Sequence, residues 1–273
     1  MVLDVDLMVH GASQLLTLAG SGPRCGQDMC ELGIVRDGAV AIADGRVVAA
    51  GTTSELQGRY RARCEIDAAG RVVVPGFVDA HTHVVFAGSR HEEFEQRVSG
   101  ATYLEIMAAG GGIMSTVRAT RAATVTQLVE QTRQRLARML AHGTTTAEAK
   151  TGYGLTTEDE SKCLDALDIL NGSQPVELVP TFLGAHAVPE EYADEPEAYV
   201  DLVTEEMLPA VAKSGAADER APRPPVFCDV FCDEGAFTLQ QTKRILSTAK
   251  ALGMPLKAHA AEFAHLGAAR LVA

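Results

Sequence analysis

His81-Thr82-His83 is the tripeptide with the clearest capacity for chemistry in this chain. On an extended strand, residues two apart project to the same face, so both imidazoles can reach one ion. Neutral imidazole is the commonest ligand for Zn²⁺ and also suits iron. A lone His-x-His pair arises often by chance. This one ends an apolar run, Val72-Val73-Val74 then Gly76-Phe77-Val78, and further strand candidates also end in polar residues. The segment near 144 delivers Glu148, Lys150 and, just beyond, Tyr153; the segment near 176 delivers His186. The segment near 226 delivers Asp233 and Glu234, and the one near 256 delivers His259 and Glu262. In that company the pair reads as metal-binding rather than as two ordinary polar residues at a strand end.

Elements able to position these residues follow from hydrophobic periodicity. Residues 1–70 read as short strands and turns, with a hairpin formed by Val40-Ala41-Ile42-Ala43, the turn Asp44-Gly45, and Val47-Val48-Ala49-Ala50-Gly51. The run beginning at Val72 reads as a parallel strand buried on both faces. Residues 125–142 place Val125, Leu128, Val129, Leu136, Met139 and Leu140 on one helical face, stopped by Gly143. Thr157 and Glu160 read as a capping box ahead of Cys163, Leu164 and Leu167. A strand from Val176 to Leu183 is followed by a helix carrying Leu202, Val203, Met207 and Leu208. A polar, Pro-rich loop from Lys213 to Pro225 leads to a strand at Val226 to Phe231. The last long helix opens at Thr238, turns Ile245, Leu246 and Leu252 inward, and ends at Gly253 before a strand at Pro255 to Ala260. Alternation of this kind predicts a parallel α/β sheet after a small all-β segment, with chemistry at the C-terminal strand ends.

The bulk numbers exclude several function classes. The formal charge is −12 and no lysine- or arginine-rich stripe is present, which argues against a nucleic-acid surface and an anionic-membrane anchor. No apolar run approaches the ~20 residues of a membrane span, and Met1-Val2-Leu3-Asp4-Val5-Asp6 is acidic where a secretory signal is basic. The expectation is a cytoplasmic protein. Cys25, Cys30, Cys64 and Cys163 are scattered, and Cys228 and Cys232 fall on one face of a strand, as two buried small hydrophobes would. Gly110-Gly111-Gly112 is not followed by Gly-Lys-Ser/Thr, so a phosphate-binding loop is excluded there and a flexible loop near the pocket is expected.

Pro75-Gly76-Phe77-Val78-Asp79-Ala80-His81-Thr82-His83 is similar to the first-strand signature of the amidohydrolase superfamily. Further segments resemble the imidazolonepropionase family within it: Phe86-Ala87-Gly88-Ser89-Arg90, Tyr103-Leu104-Glu105-Ile106, Gly110-Gly111-Gly112-Ile113, Gly143 to Glu148, Gly152-Tyr153-Gly154-Leu155, Gly184-Ala185-His186, Asp229-Val230-Phe231-Cys232 and His259-Ala260-Ala261-Glu262. The resemblance runs from about residue 30 to the end of the sequence. It implies an amidohydrolase-type (β/α)8 TIM barrel with a small N-terminal β-sandwich segment. On that reading residues 1–70 are the small β domain and 71–273 the barrel, incomplete, with about five strands present.

The implied reaction is hydrolytic opening of the ring of 4-imidazolone-5-propanoate to N-formimidoyl-L-glutamate, a step of histidine breakdown. The resemblance implies one divalent metal ion, Zn²⁺ or Fe²⁺/Fe³⁺, held by His81, His83 and His259. Glu262 would be the proton shuttle; its alternative reading is a carboxylate at a helix N-terminus. Arg90 would meet the substrate's propionate, the alternative being an ion pair with Glu92 or Glu93. Tyr153 and His186 would contact substrate, the phenol toward the carboxylate or ring and the imidazole toward the ring carbonyl, with Tyr103 a weaker member of the set. Lys150 is expected to pair with Glu148 or a substrate carboxylate. Because Val226 to Phe231 contains no lysine that could be carbamylated, the site is expected to be mononuclear.

The family's strand-six histidine and strand-eight aspartate have no counterpart within the 273 residues, and Ala261 stands where relatives often carry an acid. An open sheet exposes unpaired strand edges, so this polypeptide alone is expected to be unstable or to aggregate, and to be inactive or nearly so. The expected partner is a small-molecule substrate, with a homodimer or a complementing C-terminal chain as protein partner. Two competing readings are a related heterocycle deaminase and a non-catalytic remnant.

Overall fold

The computed structural model describes residues 2–20, 22–102, 105–106, 109–215 and 226–272. It falls into two units, Met1–Gly76 and Phe77–Ala273.

The first unit is built on β1 (Leu3–Leu16), which pairs antiparallel with β2 (Ile34–Ala43). β3 (Arg46–Thr52) completes the expected hairpin with β2, turning on Asp44 and Gly45 with φ of 52° and 70°. Two successive left-handed residues give the turn whose twist matches the strands it joins. β4 (Tyr60–Asp67) and β5 (Val72–Val73) both run parallel to β1. Among the described residues this small β unit is one five-stranded sheet, covered on one face by the helix Thr53–Arg59, whose Leu56 joins Val5, Met8, Ala39 and Ala41.

The apolar run at 72–78 is not one strand. It breaks at Pro75-Gly76: Val72 and Val73 close the first sheet, and the strand bearing the histidine pair is β6 (Phe77–Thr82). Nor is that strand buried on both faces, since Phe77 is 56% and Val78 69% exposed. The reason is position: among the described residues β6 is an edge strand, paired only with β7.

The second unit carries β6, β7 (Thr144–Lys150), β8 (Glu177–Ala185), β9 (Phe227–Cys232) and β10 (His259–Ala260), side by side in chain order and parallel throughout. The sheet curls as half a barrel. The helices Val125–Ala141, Thr157–Asn171 and Leu239–Ala251 make three of the crossovers. Another runs from Pro196–Leu202 through a π-helical turn, Val203–Met207, into Leu208–Gly215. Of the strand expected at 255–260, only His259 and Ala260 form a ladder, preceded by a bridge from Leu256 to Cys228. Among the described residues no helix is long and apolar enough to cross a membrane.

Leu128, Leu136, Ala147, Ala149, Cys163, Leu167 and Leu170 belong to one buried cluster; Phe182, Tyr199, Met207, Val230, Phe237 and Ile245 belong to a second. Cys228 and Cys232 are buried as small hydrophobes. Two leucines depart from the periodicity. Leu140 is 37% exposed because an i+4 row drifts about 40° per step, and three steps from Leu128 it has turned about 120° away. Leu252, 40% exposed, is the C-cap rather than a helical residue. The cap expected at Thr157 lies one residue earlier: Thr156 Oγ accepts from Asp159 N, and Glu160 turns inward instead. Leu128→Ala should therefore cost about 2–5 kcal/mol and Leu140→Ala under about 1 kcal/mol in urea unfolding followed by circular dichroism. Equal costs would contradict the helix face assigned here.

Candidate metal centre and substrate cleft

Each histidine of the proposed trio is held by its strand. His81 lies in β6 and His83 directly follows it; between them, Thr82 Oγ1 donates to the carbonyl of Glu148 on β7. His259 opens β10, and its backbone N–H donates to Asp229 Oδ1 on β9 at 3.1 Å. Ring nitrogens of His81, His83 and His259 lie within 4.8 Å of one another, and Nε2 of His83 is 3.2 Å from Nε2 of His259. Burial, reinforced by the charges that His186, His259 and His81 would carry, pushes His83 down to about 3. His81 is lowered by burial and by the same crowding. These two rings are neutral at neutral pH and keep their lone pairs. His83 Nδ1 is also buried with no hydrogen-bond partner. Converging neutral imidazoles with an orphaned buried nitrogen are costly as a protein-only arrangement and fit the donor set of one divalent cation.

Beneath them lies a buried charge network. Lys150 Nζ is 2.8 Å from Glu148 Oε1 and 2.6 Å from Asp229 Oδ2. Glu148 Oε1 also accepts from Lys257 Nζ and Thr181 Oγ1, each at 2.6 Å. Asp229 Oδ2 sits 2.8 Å from His259 Nδ1, an ion-pair distance whose approach is off the ring's N–H axis. Burial raises the Asp229 pKa, but His259 and Lys150 outweigh it and hold the carboxyl at about 2. Of the two partners expected for Lys150, Glu148 is present, and Asp229 occupies the ammonium as well. Asp229 and Lys257 were invisible to sequence reasoning as site residues, because contacts across this many residues have no local spacing.

His186, just after β8, stacks on His83 with centroids 4.8 Å apart and planes at 16°. Its Nδ1 is 2.9 Å from the carbonyl of Gly152, which can only accept, so Nδ1 carries the hydrogen and Nε2 the lone pair. Burial lowers its pKa to about 4 although that hydrogen bond opposes the shift. In this state Nε2 accepts; donation to a substrate carbonyl requires that Nε2 first take up a proton. Tyr153 completes the ring cluster, 5.3 Å from His186 and 5.9 Å from His83 by centroid. Burial raises its phenol pKa, with Arg90 opposing.

Tyr153 and Arg90 line a cleft of about 360 Å³ with Phe86, Gly88, Ser89, Thr116 and Arg135. Arg90 Nε and Nη2 both donate to Glu93 Oε2, at 2.8 and 2.6 Å, so the alternative ion pair is formed here. The other Glu93 oxygen accepts from Gly112 N at 3.0 Å, which ties the glycine run to the cleft wall. Arg135 lies 3.5 Å over the Phe86 ring and donates from Nη1 to the carbonyls of Val84 and Phe86. No carboxylate stands at ion-pair distance from it among the described residues. Arg135 was overlooked in the sequence, although an arginine seven residues after Leu128 falls on the helix's inward face. Glu262 is exposed. Its backbone N–H, with those of Phe263 and Ala264, donates to the Asp233 carboxylate, which holds the loop after β10. Tyr103 lies outside the described residues.

The lowered histidines set a pH dependence. Below about 6.5 the unfolded chain takes up protons at His83 and His186, while the folded, metal-free chain refuses them until about 3 and about 4, respectively. Protons in that window favour unfolding, so stability falls as pH drops from about 6.5 toward 4. Asp229 acts lower: its contribution is present above about 4 and disappears as pH falls through about 2. The urea midpoint should be lower at pH 5 than at pH 7.5; equal midpoints would contradict neutral buried rings.

The amidohydrolase family model matches residues 65–111. The imidazolonepropionase of Chloroflexus aggregans is 55% identical over 264 residues, covering 96% of this chain and 62% of its own length. That of Herpetosiphon aurantiacus is 51% identical over 262 residues, covering 94% and 61%. The chain thus spans about 62% of the length of the curated relatives it matches. Among solved structures, an adenosine deaminase from Xanthomonas campestris with bound zinc shares the fold, with a TM-score of 0.59 at 17% identity over 99% of this chain and 55% of that one. The signature around His81 and His83, the parallel half-barrel and these relatives agree: over nearly its whole length the chain is similar to imidazolonepropionases, and residues 65–111 carry the amidohydrolase pattern.

Proposed function

We propose that this chain carries the metal-binding and substrate-binding part of an enzyme that hydrolyses 4-imidazolone-5-propanoate to N-formimidoyl-L-glutamate in the cytoplasm. The observation that carries the reading is the juxtaposition of a converging three-histidine cluster with a guanidinium-lined cleft joined to it through Tyr153. His81, His83 and His259 would hold one Zn²⁺ or iron ion, which when bound supplies Lewis acidity and lowers the pKa of a water toward neutrality.

The remaining work falls to side chains. Arg90 and Tyr153 orient the propionate, and Arg90 exchanges Glu93 for the substrate's carboxylate as it does so. His186, stacked against His83, is placed to hold or hand on a proton at Nε2. Glu262 shuttles the proton between water and the leaving ring nitrogen, its backbone fixed by Asp233 while its carboxylate stays free to swing.

One observation favours a second reading. Glu93 already neutralises Arg90, as it would beside an uncharged ring, and the deaminase with the same fold is named for such a substrate. Assays of the chain with Zn²⁺ or Fe²⁺, alone and mixed with polypeptide corresponding to the rest of the relatives' length, decide between them. Loss of imidazolonepropanoate that EDTA abolishes, with a KM about 10–100-fold higher in Arg90→Ala, is expected. Release of ammonia from a neutral heterocycle in its place would establish the deaminase. Metal analysis should find one ion per chain, lost in His83→Ala.

A further inference from the structure

We infer that Glu160 and Arg121 form a positioning clamp on the Gly152–Leu155 loop, and through that loop place Tyr153 and His186. The part concerning Tyr153 as a substrate contact rests on the proposed function; the part concerning His186 does not. Glu160 is 1% exposed and serves none of the chemistry above. Its carboxylate accepts from three backbone N–H groups, those of Gly152 at 3.0 Å, Gly154 at 2.8 Å and Leu155 at 2.9 Å. Arg121 holds the opposite polarity of the same loop: Nε donates to the Gly154 carbonyl at 2.7 Å and Nη2 to that of Leu155 at 3.3 Å. A backbone loop is thereby stretched between a carboxyl group that takes its donors and a guanidinium that takes its acceptors.

The loop does not hold this shape by itself. Gly152 has φ of 103°, and Leu155, fully buried, has φ of 55°, a left-handed conformation that a branched apolar residue adopts only when its surroundings impose it. Clearance at the site is also small. A Cβ on Gly152 would meet His186 Nδ1 at 2.8 Å and the Leu183 carbonyl at 2.9 Å. The carbonyl of that same glycine is the partner of His186 Nδ1, and the next residue is Tyr153. A shift of the loop by even a fraction of an ångström therefore moves the acceptor that orients His186 and the ring that borders the cleft.

The test uses the full chain with Glu160→Gln and Arg121→Met, comparing histidine ¹⁵N-labelled spectra and the affinity for imidazole-4-propanoate, a substrate-shaped probe. In the unaltered chain, the His186 Nδ1 proton should exchange slowly. Both variants should lose that signal and bind the probe about 10-fold more weakly or worse, while keeping their far-ultraviolet spectra. Arg121 is only partly buried, so Arg121→Met decides the matter if Glu160→Gln does not fold. Folded variants with an unchanged His186 signal overturn the clamp. Failure of the unaltered chain to bind the probe counts against the substrate assignment, and the His186 signal still decides the clamp.

Discussion

A carboxylate in the middle of a buried parallel sheet survives only where cations or N–H donors answer it, and Asp229 is answered twice. Lys150 reaches it from β7 and His259 from β10, so one side chain on β9 joins three strands and the candidate metal ligand on the far edge. Glu148 repeats the device two strands over, on β7, between Lys150 and Lys257. Removing either acid would leave a buried ammonium with half its compensation, a loss of about 3–5 kcal/mol, comparable to much of a domain's net stability. The network sits at strand ends that present histidines, where an uncharged core would pack at least as well. Its contribution is therefore placement: His259 has both its backbone N–H and its Nδ1 facing Asp229, which turns Nε2 toward His83.

The cleft follows the same rule with the opposite sign. Arg90 and Arg135 both line it, and they differ in what occupies them. Arg90 is held in a two-point contact by Glu93, whereas Arg135 is committed to backbone carbonyls and an aromatic face. Arg135 thus brings uncompensated positive charge to the wall even while Arg90 is paired. A carboxylate arriving there meets a cation at once and competes with Glu93 for the second, whereas an uncharged ring gains from neither.

What the sequence made legible followed from short periods. His-x-His is readable because two residues span one strand repeat, and the β2–β3 hairpin because Asp-Gly supplies two left-handed residues. Neighbouring signals misled where one residue decides. The valines at 72 and 73 continue the apolar composition of β6 but belong to another sheet, since Pro75-Gly76 interrupts the strand. Thr157 and Glu160 have capping-box spacing, yet Thr156 with Asp159 satisfies the helix end one residue earlier and frees Glu160 for the interior. Asp229 and Lys257 act through partners far along the chain, and such contacts leave no trace in spacing.

The two ends of the site differ in how they are supported, and this bears on what an ion would do. His81 lies in β6 and His83 directly after it, and among the described residues that strand has a neighbour on one side only; His259 comes from β10, the opposite edge of the same sheet. Each edge is secured locally, β6 by Thr82 on Glu148 and β10 by His259 on Asp229. What brings ring nitrogens from the two edges within 4.8 Å of one another is the curl of the three strands between them. A cation shared by His81, His83 and His259 would link the first strand of the half-barrel to the last, so its binding energy would act directly on the curvature of the sheet. Metal affinity and sheet geometry are then one equilibrium: a substitution that flattens β7 to β9 weakens the site without touching a ligand, and an ion bound to the three histidines resists that flattening.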